Sequence, residues 1–347
     1  MAKTCTNNIR HLGRVFTDDN GVLWCGQSGT GVEFIASTNC CINLVGDNIM
    51  PEPNHKNARL GIYINGKIIN DIMMNDDAST KKSIFINIEK ESVVKIIKLS
   101  EGQYSSFGIE SIKSDKPISP TTSKNLKIEF VGDSIVCGYG IECKTLEDDC
   151  STNIENFSKA YAYKLSDKLN ADYSVMAVSG IGAVSAHTEN RKIVDRLMKD
   201  SYENYGVSDS RFAGKINPQE MPWDFSKFKP DIIIVNLGTN DESYTKTSRR
   251  KQKAFIDAYL ELLKQIRKIN TEAYIICTYG TMNKTLTSAI ETAVNLQKQS
   301  DDKISYVHLP IQDEVNDGIV INGHPSEKTN DKVTEILYDF IVSNNLN

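Results

Sequence analysis

The run Asp231–Leu237, DIIIVNL, limits what this chain can fold into more than any other stretch. Its Ile-Ile-Ile-Val centre shows no apolar–polar alternation. A strand with one wet face alternates; a strand that does not is covered on both faces, which is the habit of a central strand in a parallel sheet. Parallel neighbours need long crossovers, usually helical. The sequence supplies them: Phe255, Tyr259, Leu262, Ile266 and Ile269 recur at helical spacing directly afterwards.

The same alternation of apolar run and helical pattern extends from residue 126 to the end. Leu126–Val131, Tyr173–Val178, Ala273–Thr278 and Ile304–Leu309 read as further strands. Helices are expected from Ser158, as a cap, through Leu169, from His187 to Lys199, from Leu286 to Gln299, and from His324-Pro325 to about Phe340. The order is βαβαβαβα, one parallel sheet between helices. Residues 200–225 form a long loop with Pro218, Pro222 and Trp223, and loops of that length are often functional.

Residues 1–115 look different. Short apolar runs at Gly31–Ser37, Cys41–Val45, Val93–Leu99 and Tyr104–Ile112 alternate with turn residues, and Ile84, Ile86 and Ile88 occupy every second position. Asn65-Gly66 between two apolar runs is a strong hairpin signal. An all-β sandwich or jelly roll is expected, with no catalytic group in it and with His11 and His55 on loops or the surface. Residues 116–125 form a polar linker with Pro117 and Pro120, so the chain divides into 1–115, 116–125 and 126–347.

Composition narrows the partners. The 347 residues carry a formal net charge of -5, and the basic residues do not cluster. Nucleic acid and anionic membrane are therefore not expected as partners. No apolar run approaches the roughly 18 residues of a membrane span. The opening MAKTCTNNIRHLGRVF lacks a signal-peptide core, so a cytoplasmic location is expected, or a secreted one if a leader has been removed. The eight cysteines include no C-x-x-C pair, and reduced thiols are expected. Cys137, Cys143 and Cys150 with Asp148-Asp149 make a poor ligand set without a histidine at ligand spacing; neither metal nor cofactor is expected.

The chemistry lies where strands end. Leu126–Val131 runs into Gly132-Asp133-Ser134, and a serine there stands at the rim of the sheet, where ligands of open parallel sheets bind. Gly180, Asn240 and His324 follow other strands of the same sheet. Acyl transfer needs a nucleophile, a base and donors for an oxyanion. Ser134 can be the first and His324 the second, with His187 and His308 as rival bases. The Ser134 and Gly180 N–H groups and the Asn240 amide can be the donors. Asp133 and Asp241 are expected to hold loop backbone. Trp223 either packs on the sheet or lines an acyl pocket.

In order, GDSI (Gly132–Ile135), SG (Ser179-Gly180), GTND (Gly238–Asp241) and HP (His324-Pro325) resemble the blocks of the SGNH, or GDSL-like, hydrolases. GDSIVCGYG and WDFSKFKPDIIIVNLGTND, Trp223–Asp241, look very like the blocks of carbohydrate esterase family 2. The resemblance implies a β jelly roll followed by a three-layer, flavodoxin-like SGNH domain. It also implies a metal-free, serine-dependent carbohydrate O-acetylesterase acting on acetylated plant saccharides, with an acetyl-enzyme at Ser134. An esterase or thioesterase on other short acyl esters, and a carbohydrate-binding protein with a degenerate esterase domain, are the alternatives. The superfamily usually has an Asp three residues before the histidine; here that position is Ile321. A Ser–His dyad is therefore expected, with a main-chain carbonyl or the Asn322 side chain fixing the ring. Asp313, Asp317 and Glu327 are rival partners.

Overall fold

A computed structural model describes residues 2–4, 8–47, 56–74 and 80–347; His55 and Cys5 lie outside them. The N-terminal part forms two six-stranded antiparallel sheets face to face, a jelly-roll-like sandwich. In one, Phe107–Ser114 lies between Leu23–Cys25 and Cys40–Gly46; in the other, Ser92–Lys98 lies between Gly31–Ala36 and Arg59–Ile64. Asn65 and Gly66, both at positive φ, join Arg59–Ile64 to Lys67–Met73 in the expected hairpin. Along Lys81–Ile86 the alternation holds, with Phe85 turned out and Ile86 inward. Ile42, Phe34, Ile62 and Phe107 fill the space between the sheets. The 116–125 segment does not hang free: Ser119–Pro120 pairs with Gly31–Ala36, and Ile118 enters the sandwich core.

Residue 127 begins a five-stranded, wholly parallel sheet. Its spatial order is Asp172–Ala177, Lys127–Gly132, Ile232–Asn236, Tyr274–Thr281, Ile304–Ile311, or 2-1-3-4-5 in chain order. The Ile232–Asn236 strand is central and buried throughout. Ile233 and Val235 face the helices Arg249–Ile269 and Thr287–Lys298; Ile232 and Ile234 face Tyr161–Lys168 and Glu327–Ser343. That two-sided burial is why the run carries no polar alternation.

Two expected helices differ. Residues 187–197 are not helical; the chain is helical only at Met198–Ser201. Local side chains take the backbone donors a helix would use: Ser243 Oγ accepts the N–H of Thr188, Asn190 that of Lys192 and Ser185 Oγ that of Val194. Arg191 is also at φ 58°. The helix expected from Ser158 starts at Tyr161, whose N–H is accepted by Asn330, while Ser158 sits in a single 3₁₀ turn capped by Asn156.

The sandwich and the C-terminal part are joined by ion pairs. Arg59 meets Glu142 at 2.6 Å, and Arg10 pairs with Asp172, both partly exposed. Arg14, fully buried, reaches Glu129 at 3.0 Å and the carbonyls of Tyr202 and Asn204 at 2.6 Å each. Removing one partner of the Arg14–Glu129 pair strands a buried charge, at a cost of about 3–5 kcal/mol. No helix among the described residues is long and apolar enough to cross a membrane.

Candidate active site

Four strand ends converge on one cavity of about 920 Å³, lined by Ser134, Gly180, Asn240 and His324 among others. Ser134 begins a single helical turn, Ser134–Cys137, directly after the Lys127–Gly132 strand. Asp133 caps the turn by accepting the Ile135 N–H at 3.0 Å. Gly132 is needed for close approach: a Cβ there would stand 2.4 Å from Val136 and 2.9 Å from the Asn236 carbonyl.

His324 Nε2 lies 2.8 Å from Ser134 Oγ, and its Nδ1 lies 3.2 Å from the Ile321 carbonyl oxygen. A carbonyl only accepts, so Nδ1 carries the proton and Nε2 is free to accept from the serine hydroxyl. The ring reaches this pose through a tight hairpin. Val320 pairs with His324, and Asn322 (φ 53°) and Gly323 (φ 70°) turn the chain between them. Asn and Gly are the residues that take successive left-handed conformations at least cost. Gln312 ties the turn down through the Gly323 carbonyl at 2.7 Å. Burial pushes the His324 pKa down to about 4, against the raising effect of the carbonyls around Nδ1.

The oxyanion-type donors are arranged beside Ser134 Oγ. Among the described residues, none accepts the N–H of Ser134 or of Gly180. Gly180 is at φ 80° with nothing within 4 Å of the space a Cβ would take. The Asn240 amide donates to the Ile181 carbonyl at 2.9 Å and, more weakly, to Asp133 at 3.3 Å. Asp241, fully buried, accepts N–H bonds from Ala183, Val184 and Ser185 at 2.6–3.1 Å. Burial raises the pKa of Asp133 to about 7 and of Asp241 to about 6, against those hydrogen bonds.

Several expected placements need correction. Of the two expected ring partners the main-chain carbonyl, that of Ile321, takes the ring N–H, while the Asn322 side chain turns away and donates to Tyr139 Oη at 3.1 Å and Cys150 Sγ at 3.2 Å. Trp223 does not border this cavity. It is buried edge-on to Tyr205, with Arg14 over its ring, beside a separate cavity of about 700 Å³. His187 stands exposed on the wall of the Ser134 cavity. His308 is exposed on the outermost strand, outside the lining of this cavity. Asp148 accepts the backbone N–H groups of Lys144 and Thr145.

Residues that no motif announced also form the site. The Tyr139 ring lies 4.6 Å from the His324 ring. Gln103 and Tyr104, from the β-sandwich, form part of the cavity wall, with Glu189 and Arg196 from the non-helical 187–197 segment. Residues 1–115 thus border the site while supplying neither the serine nor the histidine. Periodicity marks buried faces, so it could not single out Gln103, Tyr104, Glu189 or Arg196 as cavity wall.

A 2-1-3-4-5 parallel sheet with serine, glycine and asparagine after its first three strands in chain order, and a histidine on a hairpin beyond the fifth, defines the SGNH class of hydrolase fold. Residues 128–337 match the family model described as GDSL-like Lipase/Acylhydrolase, and the chain belongs to that family. It is 27% identical over 339 residues to the cellulase/esterase CelE of Acetivibrio thermocellus, covering 93% of this chain and 38% of CelE. It is 28% identical over 195 residues to an acetylxylan esterase / glucomannan deacetylase of Cellvibrio japonicus, covering 53% of this chain and 51% of that protein. The chain thus spans well under two thirds of either relative. A family two carbohydrate esterase from Clostridium thermocellum, solved with cellohexaose, superposes with a TM-score of 0.82 at 25% identity over 97% of this chain and 98% of that one. The acetyl xylan esterase Est2A of Butyrivibrio proteoclasticus shares the fold, with a TM-score of 0.86 at 22% identity over 99% and 97%.

Proposed function

We propose that the chain is a serine-dependent carbohydrate O-acetylesterase, resembling acetyl xylan esterases, with residues 126–347 as its catalytic part. The observation that carries this reading is the 2.8 Å approach of Ser134 Oγ to His324 Nε2 beside two uncommitted backbone N–H groups. Ser134 Oγ attacks the ester carbonyl as its proton passes to His324. The oxyanion rests on the N–H groups of Ser134 and Gly180 and on the Asn240 amide, which turns to it the N–H now held weakly, at 3.3 Å, by Asp133. His324 then gives the proton to the departing sugar hydroxyl, and water, activated by the same ring, releases acetate. The Ile321 carbonyl keeps the tautomer but brings no charge to the imidazolium, so the unit works as a dyad.

The polar wall of Gln103, Tyr104, Glu189 and Arg196 suits sugar hydroxyls better than an acyl chain. The relationship to CelE and to the Cellvibrio deacetylase supports the same substrate class. The test is release of acetate from acetylated xylo-oligosaccharides and of chromophore from aryl esters graded from acetyl to octanoyl. Acetyl should be fastest, and Ser134→Ala should abolish turnover while keeping the fold. A variant retaining a tenth of the wild-type kcat sinks the nucleophile; a preference for octanoyl sinks the sugar ester.

A further inference from the structure

We propose that Glu101, a residue of the β-sandwich, is the positioning residue for the Gly180 oxyanion donor. The inference rests on the esterase reading above. Glu101 is wholly buried, and its Oε2 accepts the N–H of Ser179 at 2.6 Å. Ser179 is joined to Gly180 by one peptide bond, so this contact fixes the near end of the peptide whose N–H faces the cavity. The far end is fixed by the Gly180 carbonyl, which accepts the N–H of His187 at 2.9 Å.

The grip has its own support. Lys98, fully buried at the end of the Ser92–Lys98 strand, donates to the carbonyl of Glu101 and, at 3.1 Å, to the carbonyl of Ser100. Glu155, also buried, accepts the Glu101 N–H at 2.8 Å. Three ionisable groups are thus packed away from water around one loop amide. Such an arrangement is costly unless every group has a job. Burial raises the pKa of Glu101 and of Glu155 and lowers that of Lys98 to about 8. Ionised or neutral, the carboxyl keeps an oxygen 2.6 Å from the Ser179 nitrogen, so the grip depends on where that oxygen stands.

The test compares Glu101→Gln with Glu101→Asp in the full chain. Gln keeps an acceptor oxygen in place; Asp keeps the charge but withdraws the oxygen by one methylene. With aryl acetate, E101Q should retain kcat within about threefold. E101D should lose roughly ten- to a hundredfold in kcat with KM nearly unchanged, because a donor misplaced by an ångström acts mainly on the transition state. A merely structural contact would instead lower the melting temperature of both variants and leave kcat alone. Should E101D fail to fold, hydrogen exchange of the Ser179 amide decides: slow exchange in the wild type and in E101Q supports the grip, and fast exchange in the wild type overturns it. E101D with wild-type kcat, or E101Q with the larger loss, overturns the Glu101 assignment alone. A wild-type chain without Ser134-dependent turnover overturns the esterase reading and the proposal with it.

Discussion

The loop after the first strand of the parallel sheet and the loop after the second both border Ser134, but they are held by different means. The first, Gly132–Gly140, is shaped mainly by its own residues, with Asn240, Asn156 and Asn322 adding weaker ties from outside. Asp133 caps the turn, and the Ser134 carbonyl accepts the N–H groups of Gly138 and Tyr139. The second, around Ser179–Ser185, is held from outside, by Glu101 of the sandwich and by Asn240 and Asp241 beyond the third strand. A nucleophile can be placed by a few consecutive residues; the second donor here needs two distant segments at once. The first loop should therefore tolerate changes elsewhere in the chain, and the second should not.

The sharpest way to break this contrast is Asn240→Ala, which removes both a donor and the tie to Ile181. We expect kcat to fall by roughly 10²–10³, with KM within a few-fold, on aryl acetate. A change confined to KM would make Asn240 a substrate-binding group and leave the second loop without its main support.

A matched pair of carboxylate substitutions comes next. Asp241→Asn keeps one oxygen for the three N–H groups but sets an NH2 against the Ala183 N–H, where Oδ2 now accepts. It should cost about 1–3 kcal/mol of stability, because a buried donor then faces a donor, and roughly ten- to a hundredfold in kcat. Asp133→Asn is the same chemical change in the self-held loop, where Asn is as good an N-cap as Asp. It should cost less than about 1 kcal/mol. Denaturant midpoints and kcat of the two variants check this, and equal losses would erase the distinction between the loops.

This difference also explains what could be read in the sequence. The DIIIVNL strand, the Asn65-Gly66 hairpin and the GDSI turn are each encoded in adjacent residues, by burial on two faces, by positive φ and by capping. Ser134, Gly180, Asn240 and His324 followed because a parallel sheet brings strand ends to one rim. Glu101 did not, because its partner Ser179 is 78 positions away and the sandwich has no pattern pointing toward it. The 187–199 stretch misled for a related reason. Its spacing suits a helix, but Ser185 and the distant Ser243 claim its backbone donors. Trp223 could not be assigned from sequence because packing under Arg14 and lining a pocket ask for the same side chain.

The pH profile tests the histidine that faces both loops. His324 must be neutral to take the serine proton, so activity is lost as pH falls through its pKa. Burial favours the neutral ring and holds that pKa down to about 4, and the Ile321 carbonyl adds no charge to oppose the effect. The acid limb of kcat/KM should therefore lie below about 5, not near the ordinary histidine value of about 6.5. A half-point at or above 6.5 would reveal a negative charge stabilising the imidazolium.

The smallest effect is expected at Asn322, and its size decides between a dyad and a concealed triad. The Asn322 amide meets Tyr139 and Cys150, and Tyr139 in turn lies against the His324 ring. Asn322→Ala thus loosens a neighbour of the ring and leaves the Ile321 carbonyl in place. We expect a fall in kcat of about threefold or less, since an exposed, peripheral hydrogen bond lies at the low end of the usual range, about 0.5 kcal/mol. The carboxylates nearest in sequence are committed elsewhere: Asp313 to the turn at Val315 and Asn316, Asp317 to Lys332, and Glu327 to Lys164 and Lys159. Replacing each with Ala should leave kcat unchanged in the same assay. If one of them cost about 10⁴ in kcat, the loss that follows when a triad acid is disabled, that carboxylate would have to swing onto Nδ1 during turnover. The neutral carbonyl would then be the resting partner only, and the low histidine pKa a property of the enzyme before substrate arrives.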